Sequence, residues 1–206
     1  MFSQRSNRSN LPQDELRRVF DRALKLFPEL KIYKIGLEVT KGNPLISPQG
    51  EVRRRGDLYI IKLFANLIED ETDAEFVIAH ELSHILLDPK SIPLEGEKVD
   101  MSDFEMYSEL ILEVVCDFIA LKRLEQAYAN DRDRLKHLYS RYLRCVNPEG
   151  YVASVESMKE KVAILIEEKH GGELKQLFKK YFLGLDIDIR KLDMFAVFGI
   201  MKYFSL

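Results

Sequence analysis

Leu16, Val19, Phe20, Ala23, Leu24 and Phe27 recur at helical spacing within NLPQDELRRVFDRALKLF, so the chain opens with an amphipathic helix. Asn10 is its candidate N-cap, Pro12 suits its first turn, and Pro28 closes it. The polar residues 1–10 before it read as a loose tail. The period then changes. KIYKIGLEVT (31–40) alternates and is rich in β-branched residues, which predicts a strand. KGNPLISPQG (41–50) is a loop by its glycines and prolines. EVRRRGDLYIIKLF (51–64) is a second strand region in which Gly56 marks a break or bulge. Its DLYIIKL end sets Leu58, Ile60 and Lys62 on one face against Tyr59, Ile61 and Leu63 on the other.

Thr72-Asp73-Ala74-Glu75 has the spacing of a capping box and starts a helix that Pro89 stops. Residues 89–103 are loop, and a long, very apolar helix follows over about 104–128. Helical segments near 131–145, 153–169, 173–182 and 187–205 complete the chain, with no internal repeat or low-complexity tract. The pattern predicts an α+β unit over 1–128, with strands embedded among helices, and an all-helical region over 129–206 packed on it.

Composition narrows the partners. The 206 residues carry 46% hydrophobic and 32% charged positions, as a folded globular chain does. A net charge of −3 supplies no field that would hold a phosphate backbone, so nucleic acid is not the expected partner. No apolar run reaches the 18 or so residues of a membrane span, and the N-terminal stretch lacks the apolar core of a secretory signal. Two cysteines, Cys116 and Cys145, make no disulfide framework. A reducing, cytoplasmic setting without a membrane partner is the resulting expectation.

The chemistry concentrates in FVIAHELSHILLD (76–88), which holds two of only four histidines. His80 and His84 stand four apart, on one face of a helix, so both imidazoles can reach one tetrahedral zinc ion. Glu81 is one residue round the helix from His80. It projects beside such an ion, where it can take a proton from water. A site of this kind needs a third protein ligand. His137 and His170 lie far downstream in polar helix ends, which leaves carboxylates. ELILEVVCDFIA (109–120) supplies them: Glu109, Glu113 and Asp117 stand four apart among apolar residues on nearly every other face. A helix apolar that far round is expected to be buried, and a buried carboxylate costs several kcal/mol unless it is paired or bound to metal. The histidine helix lacks an acid and the acidic helix lacks a cation.

HELSHILL and EVVCDFIA together resemble the gluzincin metallopeptidases, in which H-E-x-x-H on one helix is joined by a glutamate on the next and an acidic residue four later. The short gap from His84 to Glu113 is most similar to small ImmA/IrrE-like peptidases and minigluzincins. The resemblance covers about residues 30–125 and implies a small zincin-like metallopeptidase core. It implies one Zn2+ per chain held by His80, His84 and Glu113, with Glu81 as general base and acid. Asp117 would accept a hydrogen bond from a ligand imidazole. Glu109 remains the rival third ligand. The implied activity is peptide-bond hydrolysis on a peptide or protein substrate, a regulatory protein among the candidates. The DLYIIKL strand is expected to accept that substrate as an added edge strand. Tyr107 and His137 are candidates for stabilising an oxyanion.

Two other readings stand beside this one. A ferritin-like di-iron protein would use Glu81-x-x-His84 and Glu167-x-x-His170, though it leaves His80 and the strands unexplained. A non-catalytic regulatory module on the same scaffold would keep the metal but not the turnover.

Overall fold

A computed structural model describes residues 11–45, 47–97, 101–145, 148–181 and 187–206. The fold is α+β, a small three-stranded sheet among helices. Asn10, the expected N-cap, and the 1–10 tail lie outside the described residues. The chain divides into two compact units, Met1–Val99 with Val115–Cys145, and Asp100–Val114 with Val146–Leu206.

In the first unit α1 (Gln13–Leu24) starts after Pro12 and buries Leu16, Val19, Phe20 and Ala23. A 3-10 turn over Pro28–Ile32 leads into β1 (Lys34–Thr40). The expected 51–64 strand region is two strands, β2 (Gly50–Arg55) and β3 (Leu58–Phe64). Arg55 pairs with Leu58, so the turn between them is Gly56-Asp57. Gly56 has φ +63°, the left-handed value that a tight hairpin demands at its first central position and that glycine meets without strain.

The sheet order is β1-β3-β2, with β1 parallel and β2 antiparallel to β3. This overturns the expectation that the DLYIIKL strand offers a free edge. Strand β3 is central, and its backbone groups are taken up on both sides. Its apolar run explains why: Tyr59, Ile60, Ile61 and Leu63 are buried, and such a strand belongs in the middle of a sheet. The edges are the more polar β1 and β2.

Helix α2 (Glu71–Leu87) packs on α1, β2 and β3. Its cap differs from the expected Thr72–Glu75 box. Asp70 is the N-cap, and its side chain accepts from the Asp73 N–H. Glu75 is instead buried at 1% exposure, where Arg22 of α1 and the Tyr128 hydroxyl donate to it. A charged pair inside the fold outcompetes a local cap for that carboxylate. Helix α3 (Asp103–Ala127) runs through the division between the units, and its later half puts Ala120, Leu121 and Leu124 into the first unit's core. α3 is less buried than its composition suggested. Ile111, Cys116 and Ala120 are inside, but Phe118 is 51% exposed. Helix α4 (Arg132–Cys145) belongs to the first unit, where Arg141 is buried against Asp73 of α2.

In the second unit α5 (Pro148–Tyr181) carries a non-helical residue at His170 (φ −131°), just before Gly171-Gly172. The kink falls where the pattern separates two helical segments. Met158, Val162 and Ile166 of α5 are buried, and Lys159 donates to the Leu192 carbonyl at 3.1 Å. A 3-10 turn (Ile189–Lys191) and α6 (Met194–Tyr203) pack on α5. The Asp193 side chain caps α6. Among the described residues, no helix is long and apolar enough to cross a membrane.

Candidate metal centre

Helix α2 presents His80 and His84 one turn apart, with their Nε2 atoms 3.1 Å from each other. Two nitrogens bound to one tetrahedral zinc at about 2.05 Å would stand about 3.3 Å apart. The observed spacing is close to that of two ligands of one ion, and it is equally a hydrogen-bonding distance between the two rings. His80 Nδ1 lies 2.7 Å from Asp117 Oδ1 on α3. A carboxylate only accepts, so Nδ1 carries the shared proton, and an uncharged imidazole then has its lone pair on Nε2, toward His84.

Asp117 is thereby anchored to His80, and Glu113 stands one helical turn before it on the same face of an unbroken helix. His80, His84 and Glu113 each offer a ligand atom within 4.8 Å of the others, and this group can hold a metal ion. It is the one such group found among the described residues, and Glu109 is not in it. The donors fit the ion: two imidazoles of which one has its tautomer fixed, and a carboxylate.

Glu81 lies on the side of α2 that faces β2. A Cβ built on Gly50 would come within 3.2 Å of Glu81 Oε1 and 2.6 Å of Val77 Cγ1. Only glycine lets the start of β2 lie this close to the helix. The preceding residue is held by a buried network. Gln49 accepts from Arg141 of α4 and donates to the Leu67 carbonyl (2.8 Å) and Asp73 Oδ2 (3.2 Å). Asp73, 1% exposed, also accepts from Arg141 and from the Glu69 N–H. The sequence reading missed Gln49, Gly50 and Arg141. Gly50 looked like a loop glycine, and its one signal was its place directly before an alternating run.

The other candidates fall elsewhere. The Tyr107 hydroxyl donates to the Met194 carbonyl at 2.7 Å, and the residue is fully buried. Burial, with the Glu156 and Asp193 charges behind it, pushes that phenol well up, so Tyr107 serves packing. His137 Nε2 sits 2.9 Å from the carboxylate of Asp70, the α2 cap. Asp88 caps the turn after α2, accepting from Lys90 and Ser91. Cys116 is a buried thiol outside any disulfide. His170 stacks on Phe204, with ring centroids 4.6 Å apart. Tyr142 of α4 is a phenol the sequence did not single out. Burial and then the Asp117 charge push it up, which keeps it a neutral hydrogen-bond donor.

Compared with protein families, curated proteins and solved structures, the chain matches none.

Proposed function

We propose that this protein is a zinc-dependent metallopeptidase with a small zincin-like core. His80, His84 and Glu113 would hold the ion and Glu81 would act as the base. The observation that carries the reading is the pair of Nε2 atoms 3.1 Å apart with Asp117 fixing the tautomer of His80. Two imidazoles and one carboxylate are the donor set of a catalytic rather than a structural zinc site, because three protein ligands leave room for a fourth group. Zinc held there would act as a Lewis acid toward a carbonyl and make water more acidic.

The chain's own residues supply the rest. Glu81 accepts a proton from the attacking water and returns it to the leaving amine. Asp117 keeps the Nδ1 proton on His80 and makes that imidazole a stronger donor. The substrate would lie along β2, the edge strand nearest Glu81. Antiparallel strands turn alternate residues outward, and Arg54 faces out: its N–H donates to the Pro93 carbonyl at 2.9 Å and its carbonyl accepts from Glu95 at 3.0 Å. By the same alternation the Gly50 and Val52 backbone groups turn to that outer edge beside Glu81; both residues are buried, so a substrate strand would pair there by displacing what covers them.

Glu81→Gln tests the reading. It is expected to bind as much zinc as the wild type while cleavage of an unstructured protein such as casein falls at least a hundredfold. Unchanged cleavage in the variant would defeat the peptidase assignment.

A further inference from the structure

Three arginines follow one another on β2, and two of them are matched with acids. Arg53 pairs with Glu51 at 3.2 Å, and Arg55 pairs with Glu95 at 2.6 Å and approaches Glu38 at 3.9 Å. Arg54 differs. Its Nε is buried and has no hydrogen-bond partner, and its guanidinium has no acidic partner among the described residues. The nearby acids are engaged: Glu95 with Arg55, Glu51 with Arg53 and Lys62, and Glu97 with the Leu94 N–H. Buried donors in folded proteins are nearly always satisfied, so an unsatisfied one calls for an occupant.

The position of Arg54 says which occupant. Side chains alternate across a strand, so Arg54 shares a face with Val52 and Gly50, and Gly50 faces Glu81. Arg54 lies about 13 Å along the strand from Gly50, at about 3.3 Å per residue. Segment 93–95 occupies the edge of β2 at Arg54 itself, through the Arg54–Leu94 bridge. A strand added at Gly50 and Val52 therefore ends beside Arg54.

We propose that Arg54 is a specificity-determining residue that binds a carboxylate of the substrate peptide, about two to four residues from the bond beside Glu81. This rests on the peptidase reading for its groove but not for its test. The carboxylate has two sources, an Asp or Glu side chain or the terminal carboxylate of the peptide. Both fit a planar guanidinium, which pairs with a carboxylate through two parallel hydrogen bonds.

The test uses binding, so that it does not need turnover. Fluorescein-labelled decapeptide mixtures, with glutamate, glutamine or lysine fixed at one position at a time, are titrated by anisotropy into the zinc-loaded full chain carrying Glu81→Gln. Each mixture is made with a free and with an amidated C-terminus. One position is expected to favour glutamate over glutamine about tenfold, or the free terminus over the amide by as much, and Arg54→Gln should abolish that preference. Arg54→Glu should reverse it toward lysine, and unchanged thermal melting shows that both variants are folded. No preference in the parent, or a preference that survives Arg54→Gln, overturns the proposal, as does absence of peptide binding. Binding with the expected preference but no cleavage by the wild type would uphold the carboxylate subsite and defeat the peptidase reading alone.

Discussion

Asp117 decides what His80 can do. Its carboxylate accepts the Nδ1 proton at 2.7 Å, and this leaves Nε2 as a bare donor atom toward His84. An amide in its place can present its NH2 to the ring, which would move the proton to Nε2 and cancel the lone pair. Asp117→Asn is therefore expected to weaken zinc binding by about 10- to 100-fold in a competition titration, with little change in thermal midpoint. Undiminished affinity would show that Asp117 does not govern His80. This much of the site was legible in the sequence because it depends on local spacing: four residues from His80 to His84, four from Glu113 to Asp117. Gly50 was not legible, because its role is to leave room for Glu81, which lies 31 residues later in the chain.

At the scale of elements, the first turn of α2 is gripped by cations from two helices. Arg22 of α1 donates to Glu71 and Glu75, and Arg134 of α4 lies 3.0 Å from Glu71. Burial alone would raise the Glu71 carboxyl, but the Arg22 and Arg134 guanidiniums outweigh it and hold Glu71 below its usual range. A carboxyl with a depressed folded-state pKa stabilises the fold above its ordinary pKa of 4.5, and that contribution disappears as pH falls through the folded value. The melting gap between wild type and Glu71→Gln should thus be widest near neutral pH and close as the solution is acidified below about pH 4.5. A gap independent of pH would mean that the loss is one of packing. The same clamp accounts for one misplaced sequence assignment. Thr72 and Glu75 have capping-box spacing, yet Glu75 turns inward to Arg22 and Tyr128, partners 53 residues away in either direction. The strand order was hidden for a similar reason. Alternation shows which residues share a face, but not which strand lies between two others. The apolar run of β3 was the clue that it is central.

At the scale of the molecule, the fold is α+β, and the group His80, His84 and Glu113 could hold a metal ion. The residues that would do the chemistry come from the best-patterned stretches of the chain. The supports that hold them in place come from β2 and α4, whose roles are long-range. The ferritin-like alternative needs Glu167 and His170 to join a metal group, whereas the one group found among the described residues is that of His80, His84 and Glu113. The central claim is therefore the ligand set, and zinc content tests it most directly. Wild type, Glu109→Ala and Glu113→Ala are purified with zinc, dialysed against a weak chelator and measured by mass spectrometry of the metal. The account expects one zinc per chain in the wild type and in Glu109→Ala, and less than about a tenth of that in Glu113→Ala. Equal zinc in all three proteins would contradict it.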